Sequence, residues 1–254
     1  MNLDRKLVVL VDNISIADNC RVRLRGNVSL SLYPELLTVS ILNLSDIRYH
    51  LIREGGTISV VCGASKLASG IIHDVSRETS SEGVRTVIGF SLGFDLWEKP
   101  VSISLGAGHK VSETVNAILR ASEVDFSVLS FPGHNPTFER PQAYCCRAAE
   151  AVEIALTAAR ARACLVPSGM VISPEIPEAV EVNMSSDDLT NAPIYTVDCV
   201  VIPTKMVGWP MGRRLRLKYG EKTTDGIIIK QMFDADTLQG PWKTEVMAEV
   251  INHE

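Results

Sequence analysis

The size and composition of the chain are those of an ordinary globular protein. It has 254 residues, of which 46% are hydrophobic and 22% are charged, which excludes a disordered or low-complexity protein and leaves room for one large or two modest domains. A net charge of -5 gives no general attraction to phosphate, so we predict no specific nucleic-acid binding. No stretch approaches about 18 uninterrupted apolar residues, so we predict no membrane span.

The N-terminal part of the chain consists of short apolar or alternating runs that predict strands. The predicted strands span residues 7–11, 22–25, 37–42, 57–62, 67–75, 84–92 and 101–105. Polar residues 76–83 predict a hairpin loop, and Ser45 can begin one helical turn over 46–49. Many short strands with almost no helix predict a closed or nearly closed β-barrel, because closure removes exposed sheet edges.

The middle of the chain contains the predicted helices. Apolar residues spaced three, four and seven apart predict a helix over 112–121, with Ser112 as its N-cap. Residues 130–141 carry three prolines and predict an irregular connection. An alanine-rich apolar stripe predicts a longer helix over 148–164, followed at once by a strand over 170–173.

The last third returns to strands and completes the predicted fold. The predicted strands here span residues 195–202, 213–219, 226–233 and 243–251. We therefore predict a mainly β fold with α insertions. It has an N-terminal β-barrel domain (1–106), an α/β connecting section (107–175) and a C-terminal barrel domain or barrel completion (176–254).

The sequence carries no common catalytic signature, so we predict a protein that is not an enzyme and holds neither cofactor nor metal. The strongest alternative is a thiol-dependent hydrolase, with Cys145 or Cys146 as the nucleophile and His134 as the base. The simpler interpretation is a turn around His134 and cysteines that pack at the start of a helix. All six cysteines are expected to be reduced core residues.

Two pairs of aspartates are candidate cation ligands. These are Asp187 with Asp188, and Asp234 with Asp236. Each pair lacks the further oxygen ligands that calcium sites space along a loop. We therefore expect solvated turn carboxylates.

The three tryptophans and one basic strand are the candidate partner interface. Trp97, Trp209 and Trp242 each lie close to a proline, in or beside a predicted loop. Tryptophan is enriched at protein interfaces, although each could instead plug the end of a barrel.

The basic candidates lie on a single predicted strand. Arg214, Arg216 and Lys218 share one face of it, and leucines occupy the other face. The cations could form the solvated side of an ordinary sheet, bind an acidic protein surface, or track nucleic-acid phosphates. The sequence leaves these three readings open.

Three segments of the chain resemble phage tail baseplate hub proteins. In the first, residues 31–34 precede a strand that runs into residues 43–45 (Asn-Leu-Ser) and one helical turn. In the second, residues 149–172 are similar to a helix, turn and strand unit of that family. In the third, Asp234 and residues 240–246 (Gly-Pro-Trp-Lys-Thr-Glu-Val) precede the last strand, as in the family's C-terminal hairpin.

The resemblance implies a structural virion protein, made in the host cytoplasm and located at the distal end of a tail. It implies a homotrimeric ring of barrels that joins the tail tube protein to a central spike or fibre protein, with the tape measure protein as a further candidate partner. Loops near Trp97 and Trp209 would then form the ring contacts. The alternatives are the thiol hydrolase, a peptidoglycan-acting tail enzyme, and a stand-alone ligand-binding β-barrel.

Overall fold

The fold is mainly β, as predicted, with a few short helices. The computed structural model describes residues 5–251 except 125–126, 132–133, 167–168, 176 and 178. Strands account for 53% and helices for 13%, which confirms the predicted mainly β class with α insertions. Within the described residues the longest helix has 11 residues, and none is long and apolar enough to cross a membrane.

The strands and helices of the described residues are numbered separately in chain order. The strands are β1 (Val8–Val11), β2 (Ile14–Ser15), β3 (Arg21–Ser29), β4 (Leu36–Leu42), β5 (Thr57–Cys62), β6 (Ser65–Ser80), β7 (Gly83–Ser91), β8 (Pro100–Leu105), β9 (Val128–Ser130), β10 (Gln142–Arg147), β11 (Ala161–Val166), β12 (Gly169–Pro174), β13 (Val180–Met184), β14 (Ile194–Tyr195), β15 (Cys199–Thr204), β16 (Arg214–Tyr219), β17 (Lys222–Asp236) and β18 (Trp242–Val250). The helices are α1 (Asp46–Tyr49), α2 (Phe94–Glu98), α3 (Val111–Ala121) and α4 (Ala148–Thr157). A single 3-10 turn lies at Ser186–Asp188.

Most strands belong to one large sheet that does not close on itself. Its order is β14-β15-β18-β17-β3-β4-β7-β6-β5-β1-β2, with β16 also pairing β17 and β13 pairing β16. In the part of the chain that the structure describes, the end strands β14 and β2 do not pair with each other. The predicted closed barrels are therefore wrong. The end strands β14 and β2 have only two residues each, and β13, which pairs only with β16 among the described residues, forms a third edge.

Strand β17 connects the N-terminal and C-terminal groups of strands. Its first part pairs with β16, from Tyr219 opposite Lys222 onwards. Its last part pairs with β3, ending with Asp236 opposite Arg23. Its register with β18 shifts between Ile228 and Lys230, at the point where β17 passes from one neighbour to the other. One 15-residue strand therefore belongs to both groups.

The buried apolar residues form three clusters. The first core lies under β1 to β7 and also contains Phe233 and Ala235 from the end of β17. The second core lies between helices α2 to α4 and the two small sheets, β8 with β10 and β9 with β11 and β12. The third core lies under β13 and β15 to β18 and contains Ile228 from the first half of β17.

The predicted helix over 148–164 is wrong in its second half. Helix α4 ends at Thr157, Arg160 adopts a left-handed backbone with φ 47°, and residues 161–166 form β11 instead. Strand β11 pairs with β12 along its whole length, from Ala161 opposite Pro174 to Val166 opposite Gly169. The alanine-rich sequence favours a helix locally, and tertiary pairing overrides that preference.

Three smaller predictions also differ from the structure. The predicted loop at 76–83 is mostly strand, because β6 and β7 extend past the core as a hairpin with a two-residue turn, and the exposed strands there are polar. The predicted strand over 195–202 is interrupted by a turn between β14 and β15. Lys110, not Ser112, is the N-cap of α3, and its backbone N–H donates to the Glu113 carboxylate at 2.8 Å. The Ser112 backbone N–H donates instead to Asn135.

Candidate interaction surfaces

Trp97 lies in helix α2 rather than in a loop, and it packs against the second core. Its ring centroid is 4.4 Å from that of Tyr33, and the Arg147 guanidinium lies 4.7 Å from the same ring. Tyr33 is 50% exposed, so the outer part of this stack faces solvent. Stacked aromatic rings and a cation over a ring face each stabilise such a contact.

Trp209 lies in the loop between β15 and β16 and is held at both ends by hydrogen bonds. Its indole Nε1–H donates to Thr204 Oγ1 at 3.0 Å, and its backbone N–H donates to Gln231 Oε1 at 3.2 Å. The half-buried ring packs against the third core. Its hydrogen bonds fix the orientation of the ring.

Trp242 begins strand β18 and packs against the first core. The Arg5 guanidinium lies 5.9 Å from its ring centroid. The structure therefore distributes the three tryptophans over three different cores and does not bring them together.

The basic strand β16 has an acidic partner that the sequence analysis did not identify. Arg214 Nη2 and Arg216 Nη2 donate to Asp225 Oδ2 at 2.9 and 2.8 Å, and Arg216 Nε donates to Oδ1 at 2.8 Å. Asp225 lies directly opposite Arg216 on β17, and its side chain is only 7% exposed. The Arg216 hydrogen bonds hold the pKa of Asp225 below its usual value, with a further contribution from Arg214, despite the opposing effect of burial. Lys218 is exposed.

A cavity of about 340 Å³ lies where the three cores meet, which is within the size range of small-ligand pockets. Leu37, Leu165 and Met211 contribute one wall residue from each core. Its other walls include Tyr33, Glu35, Lys66, Trp209 and Gln231. The Glu35 Oε2 atom is buried and accepts no hydrogen bond from the described residues. Tyr33 touches Trp97 and also lines this cavity with Trp209, so it connects two of the candidate interface residues.

A second surface, the arginine groove, lies on the outer face of β3, β4 and β7. Its volume is about 290 Å³, and it is lined by Arg21, Arg23, Arg25, Thr38, Ser40, Leu42, Glu82, Arg85 and Asp236. Arg21 Nη2 and Nε donate to Asp236 at 2.7 and 2.9 Å, and Arg23 and Arg25 both contact Asp234. In β3 arginine alternates with apolar residues, a pattern that by itself predicts only a strand. The same alternation already placed three cations on one face.

The candidate thiol and imidazole groups are not paired. Cys145 and Cys146 lie in strand β10, Cys145 is exposed, and Cys146 packs against the second core. Burial and the neighbouring Glu150 carboxylate raise the pKa of Cys146, which disfavours the reactive thiolate. No hydrogen bond among the described residues links either thiol to the exposed His134.

The six cysteines are free, but the expectation that all are core residues is wrong. Only Cys164 is fully buried, and burial raises its pKa to about 12. Cys145 is exposed, and the remaining four are partly buried.

Three of the four aspartates in the two candidate pairs have other partners. Asp188 accepts the Ser185 backbone N–H at 2.9 Å at the start of the 3-10 turn. Asp234 and Asp236 pair with the arginines of β3. Over the residues whose positions are described, no cluster of three or more histidine, cysteine or acidic side chains could hold a metal.

Solved phage-tail proteins have a very similar fold. The tail protein from Neisseria meningitidis MC58 matches with a TM-score of 0.71 and 12% identity, over 96% of this chain and 95% of that chain. A tail protein of prophage MuSo2 from Shewanella oneidensis matches with a TM-score of 0.72 and 7% identity, over 96% and 97% of the two chains. An Escherichia coli component of the type VI secretion system, itself similar in structure to bacteriophage T4 tail proteins, matches with a TM-score of 0.63 and 10% identity, over 96% and 77%.

Sequence comparison alone does not detect this similarity. No family model matches the chain, and no curated protein matches it in sequence. The chain nevertheless has the fold of phage tail proteins over almost its whole length, which confirms the structural side of the resemblance to tail hub proteins.

Proposed function

From the fold that this chain shares with phage tail proteins, we propose that it is a structural component of a phage or phage-like tail. It forms a homotrimeric ring at the distal end of the tail and joins the tube to a central spike or fibre. The match to two tail proteins with TM-scores of 0.71 and 0.72 over 96% of the chain carries this proposal. The ring, its position and its neighbours go beyond the shared fold and rest on the resemblance of the sequence to tail hub proteins.

The free edges of the large sheet are suited to subunit contacts. The edge strand β14 and the turn after it expose Ile194 and Val197, and the opposite edge strand β2 exposes Ile14. Exposed apolar residues at an unpaired edge favour pairing with another chain. In a cyclic ring each subunit presents two different surfaces, and the two ends of an open sheet can supply them.

Tyr33 is the central residue of the proposed ring contact. It lies against Trp97, lines the cavity beside Trp209 and is half-exposed. Partly exposed aromatic residues that surround a recess are typical anchors of protein interfaces. Arg214, Arg216, Lys218 and Trp242 remain candidate contacts to the tube or spike, with Lys218 as the exposed cation of its strand.

Native mass spectrometry of the purified protein, alone and mixed with its tube and spike proteins, tests the ring. Three copies of the 27.7-kDa chain weigh about 83 kDa. A trimer, alone or in the mixture, supports the proposal. A monomer that persists in both samples and binds neither protein contradicts it.

Substitution of Tyr33 tests the contact separately from the fold. We expect Tyr33→Ala to weaken trimer formation by about tenfold or more, because anchoring aromatic residues dominate interface energies. The variant Ile47→Ala removes an even more exposed apolar side chain from α1 and serves as the matched control. A trimer fraction in Tyr33→Ala equal to that in Ile47→Ala would place the interface elsewhere. So would a trimer fraction in the double variant Trp97→Ala/Trp209→Ala equal to that of the parent.

The cavity favours a second candidate function, a ligand-binding protein. Its walls combine the aromatic Tyr33 and Trp209 with aliphatic side chains, and the buried Glu35 Oε2 has no hydrogen-bond partner among the described residues, so the cavity suits a ligand that combines a ring with a positive charge. Benzyltrimethylammonium is a suitable probe. A rise in Tm that is lost in Glu35→Gln, observed on a persistent monomer, would favour this function over the ring.

A further inference from the structure

The arginine groove arises from the register of three neighbouring strands. Residues two apart on a strand face the same side, so Arg21, Arg23 and Arg25 of β3 form one row. Arg21 and Arg85 both lie opposite Leu42, from the two sides of β4. Four guanidinium groups therefore surround one groove, with the hydroxyl groups of β4 at its floor.

The carboxylates near the groove do not neutralise its arginines completely. Asp236 is fully engaged, because it accepts two Arg21 nitrogens and the backbone N–H groups of Leu238 and Gln239. Arg23 and Arg25 share one oxygen, Asp234 Oδ1, at 3.4 and 3.2 Å. The carboxylates of Glu82, Asp234 and Asp236 thus face four guanidinium groups, those of Arg21, Arg23, Arg25 and Arg85. This leaves one positive charge in excess.

The groove also has more hydrogen-bond donors than acceptors. A guanidinium group carries five N–H donors, and Arg25 uses one of them on Asp234. Arg85 approaches Glu82 only to 3.9 Å, which is too long for a hydrogen bond. The Arg23 Nε–H is buried and has no acceptor among the described residues. A ligand in the groove cannot reach this buried N–H, so the donors offered to an incoming acceptor are the other guanidinium N–H groups, chiefly those of Arg25 and Arg85.

We propose that the arginine groove binds one small oxyanion, held mainly by Arg23, Arg25 and Arg85. Charge-assisted hydrogen bonds from planar guanidinium groups match the oxygens of a phosphate or carboxylate. The anion is a free phosphate or the carboxylate of an acidic side chain, which share this chemistry. An extended nucleic-acid backbone fits poorly, since Glu82 and Asp234 repel successive phosphates and the excess charge suits a single anion.

Calorimetric titration with sodium phosphate and with sodium acetate, against sodium chloride at matched ionic strength, tests the site on the full chain. We expect saturable binding of phosphate, acetate or both that is absent with chloride. Tighter binding of phosphate identifies a phosphate site, and equal or tighter binding of acetate identifies a carboxylate site. The double variant Arg25→Gln/Arg85→Gln should weaken binding by about tenfold or more, because it removes two charged donors.

The variants keep the test independent of folding. Arg25 and Arg85 are exposed and make long or single ion pairs, so the double variant should keep the Tm of the parent. Arg213→Gln is the control for the loss of an arginine outside the groove, since Arg213 is 34% exposed and has a single ion pair to Glu181. Affinities that are equal in the parent, the double variant and the control would overturn the proposal. So would the absence of anion-specific heat, or tighter binding of a single-stranded oligonucleotide than of phosphate. None of these outcomes bears on whether the protein forms a ring.

Discussion

Strand β17 pairs with arginines at both of its ends, and the two ends differ in how completely these arginines are neutralised. At its start, Asp225 is 7% exposed and binds Arg214 and Arg216 from β16. Near its end, Asp234 is 33% exposed and shares one oxygen between two arginines of β3. Both clusters contain a buried carboxylate, because the Asp236 side chain that binds Arg21 is only 3% exposed. Only the second cluster also has two arginines whose shared carboxylate is partly exposed.

The comparison shows that an arginine alternation alone does not define a binding surface. Strands β3 and β16 both place arginines at every second position, and both pair antiparallel with β17. The burial of each arginine's own carboxylate partner decides the outcome, because a buried ion pair is less screened by solvent than an exposed one. Arg21 pairs with Asp236, which is only 3% exposed, whereas Arg23 and Arg25 share the partly exposed Asp234. The sequence predicts the basic interface on β16, yet β3 holds the less satisfied arginines.

Removal of the buried carboxylate should have the largest effect. We expect Asp225→Ala to lower the free energy of unfolding by about 3 kcal/mol, because it leaves Arg214 partly buried without this partner. The corresponding change at the open end, Asp234→Ala, should cost less than about 1 kcal/mol, since its ion pairs are partly exposed. Urea denaturation measures both values, and equal losses would remove the distinction between the two ends.

The second-largest expected effect is the loss of stability at acid pH, and it arises mainly from the buried aspartates. Hydrogen bonds from Arg216 and Arg214 lower the pKa of Asp225. Burial raises the pKa of Asp236, but Arg21 and the N–H groups of Leu238 and Gln239 together outweigh it and lower the value. The unfolded chain therefore binds protons first, at its ordinary pKa of about 3.9, and stability present at neutral pH is lost as the pH falls through and below that value.

The substitution Asp225→Asn tests whether Asp225 causes the loss of stability at acid pH. Denaturation curves between pH 7 and pH 3 should show a shallower loss of stability in Asp225→Asn, which cannot take up that proton. A parallel pH profile in the variant and the parent would mean that Asp225 is not the group responsible.

The smallest effect on stability is expected in the open groove. Arg25→Gln should change the free energy of unfolding by less than about 0.5 kcal/mol, because an exposed ion pair contributes little. Thermal denaturation measures this change. A loss above 2 kcal/mol would show that the groove is as structural as the Asp225 cluster.

The sequence predicted local elements well and long-range partners poorly. Helix α1 and strand β5 have the predicted boundaries, because short-range sequence patterns are local signals. Ser45 occupies the predicted N-cap position of α1, although its side chain makes no capping hydrogen bond. The end of α4 was missed, since β11 exists only through its pairing with β12. The position of Tyr33 could not be inferred either, because it stacks on Trp97, a residue far away in the sequence.

Separation along the sequence also limited the prediction of the candidate surfaces. Arg21 and Arg23 lie 215 and 211 residues from the aspartates that bind them, so no spacing rule connects them. Asp225 lies only nine residues from Arg216 and could have been paired with it by assuming a β16–β17 hairpin. The arginine rows were visible in the sequence, whereas the burial of their partners was not.

The pairing of β3 with the end of β17 also bears on how the chain emerges from the ribosome. At about 5–20 residues per second, the 215 residues between Arg21 and Asp236 take about 10–40 s to synthesise. During that interval β3 has β4 on one side and an unsatisfied edge on the other. Charged side chains along such an edge oppose pairing with other nascent chains. The arginines of β3 would thus protect the half-made sheet from aggregation before their aspartates have been translated.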